Sequence, residues 1–155
     1  MTEKVIIQGA KSENDYLAIH AEAWDETSLD DYEGPNVTVE ISSGGLHAVA
    51  VLPGYVADVE RLAVLMHEID QDWRGWTGVK SASPDDEWLA VRATHDGAGH
   101  VALTIQLADG WPMVAAWRVN VTFAIDVGSA ARFAAALDQW TAAVWPPQYR
   151  HGTRA

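Results

Sequence analysis

Two histidines, His95 and His100, bracket the turn Asp96-Gly97-Ala98 and are the first place to look for a metal-ligating pair. Neutral imidazole is a common zinc ligand, but two rings can serve one ion only if they project to the same side of the backbone. The flanking segments decide this. Residues 88–95 and 100–107 alternate apolar and polar positions, the pattern of strands with one buried face. A three-residue loop at 96–98 sets Ala93 opposite Val101, Val91 opposite Leu103 and Leu89 opposite Ile105. A loop changed by one residue places Val91 against Thr104 or Ala102 and wastes the buried face. In the three-residue register His100 lies opposite Thr94, and His95 lies opposite Gly99 on the other face. The imidazoles diverge, and no metal site is expected.

Three other groupings could do chemistry. His20-Ala21-Glu22 places an imidazole and a carboxylate on one strand face and resembles half of the zinc-deaminase signature. The other half needs two cysteines, and the chain has none. The segment from Trp24 through Asp25, Glu26, Asp30, Asp31 and Tyr32 to Glu33 carries five carboxylates beside two aromatics. Its spacing is not that of a calcium loop, and it reads as a surface for a basic protein partner, with Trp24 and Tyr32 as anchors. Finally, Trp88, Arg92, Thr94, His100, Thr104 and Gln106 share the polar face of the hairpin, which Arg118, Asn120 and Thr122 extend. There an arginine could hold an anion and His100 could shuttle protons.

The elements that must position these residues follow from periodicity. Residues 4–10, 16–24, 37–41 and 46–52 read as strands, the last two joined by a tight turn at 42–45. Val59, Leu62, Leu65, Met66, Ile69 and Trp73 mark an amphipathic helix over 58–73, with His67, Asp70 and Gln71 on its exposed side. A short strand at 79–83 precedes the hairpin. Residues 115–125 then alternate cleanly, with Trp117, Val119, Val121, Phe123 and Ile125 on one face. Ser129 is placed as the N-cap of a second helix, whose stripe is Phe133, Leu137, Trp140 and Val144 and which Pro146-Pro147 ends. The expected fold is α+β: a largely antiparallel sheet with two amphipathic helices on one face, in the order strands, helix, strands, helix. An offset of 71 residues lays Leu52 on Phe123, Leu62 on Phe133 and Ile69 on Trp140, which suggests two related halves. Residues 1–147 read as a single domain and 148–155 as a tail.

Composition narrows the function classes. Without cysteine there is no disulfide scaffold, cysteine nucleophile or iron–sulfur cluster. The formal net charge of −12 repels phosphate backbones and anionic lipid, so neither nucleic acid nor a membrane is an expected partner. No secretory leader or membrane-length apolar run is legible, and a cytoplasmic protein is expected. Eight tryptophans are many for 155 residues. Trp73, Trp117 and Trp140 are placed in the core, and Trp24, Trp76, Trp88 and Trp111 at element ends or on polar faces.

The series Trp73-Arg74-Gly75-Trp76, Glu87-Trp88-Leu89 and Gly99-His100-Val101, followed by the tryptophan strand and closing helix, resembles an uncharacterised family of small actinobacterial proteins, a domain of unknown function. The resemblance covers residues 37–144. It implies a bacterial cytoplasmic protein with the element order above, and no activity or cofactor.

Phosphate-binding glycine loops, nucleophile elbows, metalloprotease helices and dinucleotide fingerprints are all missing from the sequence. The expectation is therefore a small acidic non-catalytic binding protein, in the manner of an immunity protein or antitoxin-like inhibitor. The alternatives are a ligand-binding protein or enzyme using the Arg92 and His100 face, and a homodimeric structural module.

Overall fold

Alternating residues give each strand one apolar face, and the turns between strands fix which residues oppose one another. A computed structural model describes residues 4–21, 36–52, 56–82, 88–109 and 115–144, though not the side chains of 56 and 57. The elements are β1 (Val5–Gln8), β2 (Tyr16–Ala21), β3 (Val37–Ser43), β4 (Leu46–Leu52), α1 (Val56–Gln71), β5 (Lys80–Ser81), β6 (Leu89–His95), β7 (His100–Ala108), β8 (Arg118–Asp126) and α2 (Val127–Val144). The fold is α+β in the expected order. The strands form two antiparallel sheets of four, β1-β2-β3-β4 and β5-β6-β7-β8, where the sequence suggested one. Each strand pairs with its neighbour in the chain, and α1 carries the chain out of the first sheet before the second begins, so β4 and β5 never meet as partners.

The apolar faces of both sheets and the stripes of both helices join in one core. Ile19, Val39 and Ile41 enter it from the first sheet and Val91, Leu103, Ile105 and Ile125 from the second. α1 contributes Leu62, Met66 and Ile69, and α2 contributes Phe133, Leu137 and Trp140. Each such side chain stabilises the fold by roughly 1.5–3 kcal/mol relative to exposure. The helices pack on each other, and the buried hydroxyl of Thr141 is satisfied by the Leu137 carbonyl at 2.8 Å.

Two halves, each of four strands and a helix, repeat the same sheet order. The offset of 71 lays the first residue of α1, Val56, on the first of α2, Val127. It also lays His67 on Asp138, and these two meet across the helix pair, Nε2 to Oδ2, at 2.8 Å. Contact between equivalent positions is what a local twofold axis between the helices requires.

Four sequence expectations need correction. The β6–β7 register is displaced by two residues: His95 lies opposite Val101, Val91 opposite Ile105 and Thr94 opposite Ala102. The loop is moved on by one residue, to 97–99, because the Asp96 carboxylate accepts the backbone N–H groups of Ala98 (2.7 Å) and His100 (3.1 Å), while Gly97 and Gly99 both take positive φ. A slip of two preserves alternation, so every residue keeps its face and the two imidazoles stay on opposite sides. Second, Trp73 is 55% exposed rather than in the core, because α1 ends at Gln71; its ring lies under the Arg74 guanidinium at 4.9 Å. Third, Ser129 is inside α2 rather than its N-cap. The helix starts at Val127, directly after Asp126, and Ser129 Oγ accepts from Arg132 Nη2 at 3.2 Å. The fourth is the division into two sheets. The β3–β4 turn conforms to expectation: Gly44 and Gly45 both have positive φ, as a two-residue hairpin loop requires.

Candidate functional site

On the outer face of the first sheet the register places Ile6, Ala18, Glu40 and Val49 side by side across β1 to β4. Tyr16, Ser42 and His47 form the next rank, and His20, Thr38 and Val51 the rank on the other side. Glu40 is the centre of this face. Its Oε2 accepts from Lys4 Nζ at 2.8 Å, and its Oε1 accepts from the Tyr16 hydroxyl at 2.6 Å and is met by His47 Nε2 at 2.7 Å. Its side chain is only 12% exposed, whereas Lys4 and His47 are about half in solvent.

Three donors on one carboxylate favour its charged form strongly. The Lys4, Tyr16 and His47 hydrogen bonds, in that order, lower the Glu40 pKa from its ordinary 4.5 to about 2, against an opposing effect of burial. An ionised carboxylate accepts only, so the His47 Nε2 that meets it carries a proton. The same hydrogen bond, together with burial and the Glu40 charge, raises the Tyr16 pKa. A general base needs a free lone pair and a pKa near the working pH. Glu40 has most of its acceptor positions occupied and a pKa of about 2, so its chemistry here is to hold three side chains in place.

Around this polar centre the face is apolar and open. Ile6, Val49 and Val51 are 47%, 45% and 53% exposed, and all three stand on the Glu40 side of the sheet. Ala18, between Ile6 and Glu40, is fully covered. Exposed aliphatic side chains on either side of a fixed polar centre have the makeup of a protein-binding surface.

Of these residues only His20 was singled out from the sequence, and neither Glu40 nor its three donors were. The Gly44-Gly45 turn alone puts Glu40 and His47 on one face in adjacent ranks, which was a readable signal. Lys4 and Tyr16 join them only because β1, β2 and β3 pair consecutively, and the length of the connections hides that.

The acidic segment Trp24, Asp25, Glu26, Asp30, Asp31, Tyr32 and Glu33 lies outside the described residues, as do Glu22 and Trp111. It joins Ala21 to Val37, which are paired across β2 and β3 at the His20 end of the Glu40 face. His20 itself stands on that face, opposite Thr38. The alternative set does share one face of the second sheet: Arg92 lies opposite Thr104, Thr104 opposite Thr122, and Arg118 opposite Ala108. Most of these residues already have partners. The Thr104 and Thr122 hydroxyls bond at 3.0 Å, and His100 approaches Asp96 at 3.3 Å and Asp126 at 3.9 Å. Trp88, Arg92 and Arg118 also have partners. Among the described residues no group of three or more His, Asp or Glu is arranged for a metal ion.

At the end of the second sheet His95 turns toward the core and meets Trp76 edge to face, with ring centroids 5.2 Å apart. Its Nδ1 accepts the Gly97 N–H at 2.8 Å. Gly75 passes over this ring with φ of 125°, and an added Cβ would stand 3.1 Å from Nδ1. Gly75→Ala is expected to destabilise the fold by about 1–3 kcal/mol, through backbone strain and displacement of His95. A chemical denaturation midpoint equal to that of the unmodified chain would show that the loop can move aside.

A family model described as a family of unknown function (DUF6228) matches residues 11–144. No curated protein matches the chain. Among solved structures, WHY3 from Arabidopsis thaliana is similar at 13% identity and a TM-score of 0.46, with 93% of this chain and 89% of that one covered. The plant transcriptional regulator PBF-2 is similar at 11% identity and a TM-score of 0.44, over 93% of this chain and 82% of that one.

Proposed function

The chain belongs to the DUF6228 family of unknown function, and from that premise we propose that it is a non-catalytic binding protein which meets a basic protein partner on the outer face of its first sheet. The observation that carries this reading is the Glu40 centre: a carboxylate held by Lys4, Tyr16 and His47, with exposed Val49 and Val51 on the strand beside it and exposed Ile6 on the opposite edge strand. Such a face is preorganised, since its polar groups need no rearrangement when water leaves, and its aliphatic side chains supply the apolar contact. The net charge of −12 and the acidic segment that leaves the same end of the sheet would speed encounter with a basic partner. An inhibitor of the immunity or antitoxin kind is the form such a protein would take. The same charge disfavours nucleic acid.

The test is capture from a lysate of the source cell, at low and at high salt, with the unmodified chain and with a V49E/V51E variant. The reading expects one basic protein retained by the unmodified chain, shed at high salt, and bound at least about tenfold more weakly by the variant. Equal retention by both would remove the face from the account. Exchange of Asp30, Asp31 and Glu33 for their amides is expected to slow association while leaving the dissociation rate nearly unchanged.

A further inference from the structure

Beyond the Glu40 face, the free edge of β1 forms a second binding feature with α2 as its wall. β1 is an outermost strand of its sheet. The Gly9 N–H donates to the Asp15 carbonyl at 2.6 Å, which makes the odd-numbered residues of β1 the hydrogen-bonded partners of β2. The N–H and C=O groups of Ile6 and Gln8 therefore point away from β2. Further along, the equivalent outward N–H of Ala10 is taken by the Ala124 carbonyl of β8 at 2.7 Å. No described residue pairs with the outward groups of Ile6 and Gln8.

Beside this edge run two adjoining hollows of about 410 and 470 Å³, which share Ile6 and Ala136. The first is lined by Gln8, Arg132 and Phe133, the second by Lys4, Gln139 and Trp140. The indole Nε1 of Trp140 is buried with no acceptor among the described residues. In a chain of net charge −12, no carboxylate among the described residues lines either hollow. Lys4 stands toward one end and Arg132 toward the other, and Arg132, near the positive end of the α2 dipole, donates to Ser129 without an ion pair among the described residues.

We infer that this groove takes an extended acidic peptide of another protein, which adds to β1 as a fifth strand. Main-chain bonds to Ile6 and Gln8 supply affinity, and alternate side chains lie against Phe133, Ala136 and Trp140. A carboxylate near Arg132 supplies the charge preference, since Lys4 is already paired with Glu40. A second copy of the chain is a poorer occupant, because pairing two β1 edges brings the cations of both grooves together. This site adjoins the sheet face proposed above, with which it shares Lys4 and Ile6, but its main-chain bonds are those of the β1 edge and do not depend on that face.

The test measures binding of a short fluorescein-labelled peptide alternating valine with aspartate, and of its valine–lysine counterpart, to the full chain. Ile6→Pro removes an N–H that β2 does not use, at an edge position where proline is tolerated, and Arg132→Glu reverses the unpaired charge. The aspartate peptide is expected to bind, and the lysine peptide and each variant are expected to bind about tenfold or more weakly. Equal binding of the two peptides, no binding of either, or binding undiminished in both variants would overturn the proposal. So would a chain of doubled mass in solution that becomes monomeric on Ile6→Pro, since that assigns the edge to a second copy.

Discussion

Glu40→Ala is expected to lower the stability of the chain by about 2 kcal/mol, more than a surface ion pair contributes, because three donors then lose their common acceptor in a largely covered position. The pH dependence gives a sharper signature. The Glu40 pKa is about 2 in the folded chain against an ordinary 4.5, so between these values the unfolded state binds the proton that the folded state refuses. Its contribution is therefore complete above pH 4.5 and is lost as pH falls through about 2. Denaturant titrations at a series of acidic pH values should show this decline in the unmodified chain and a shallower one in Glu40→Gln. The full shift converts to about 3 kcal/mol, but the half-exposed Lys4 and His47 are screened by solvent, and the smaller figure of about 2 kcal/mol is the expected one. Parallel curves for the two proteins would mean that the hydrogen bonds to Glu40 add nothing beyond those water would make.

Phe133→Ala should have the largest effect of any single change considered, a loss of about 3–5 kcal/mol. Phe133 is buried on α2, at the point where the helix faces both β1 and its partner helix. Leu62, its equivalent on α1 under the offset of 71, is equally buried, and Leu62→Ala should cost about 2–5 kcal/mol. Val64→Ala, on the exposed side of α1, is the control and should change stability by less than about 1 kcal/mol. Urea midpoints with unchanged slopes would test all three. A Phe133→Ala midpoint as high as that of Val64→Ala would contradict the assignment of α2 to the shared core.

Local pattern made much of the fold legible. Phe123 and Ile125 alternate with Thr122 and Ala124, and Leu62, Met66 and Ile69 recur at helical spacing, so strands and helices could be placed without knowledge of their partners. Two adjacent glycines fixed the β3–β4 turn. The Asp96 loop could not be read in this way. Several loop placements keep apolar residues opposite one another, and the choice between them was made by a carboxylate that gathers two backbone N–H groups. Trp73 was misplaced because nothing in its side chain distinguishes the last turn of a helix from the residues after it. The Glu40 centre lay deeper still. Its four members come from three strands and the residue before β1, and only consecutive pairing of those strands brings Lys4 and Tyr16 to Glu40. The acidic segment was visible at once because its chemistry is contiguous in the chain.

The most direct measurement of the central claim is backbone hydrogen exchange of the chain alone and saturated with the basic protein it captures. Binding on the outer face of the first sheet predicts slowed exchange in β3 and β4 and unchanged exchange in β6, β7 and β8. Slowed exchange confined to β6, β7 and β8 would place the partner on the Arg92 face and contradict the account.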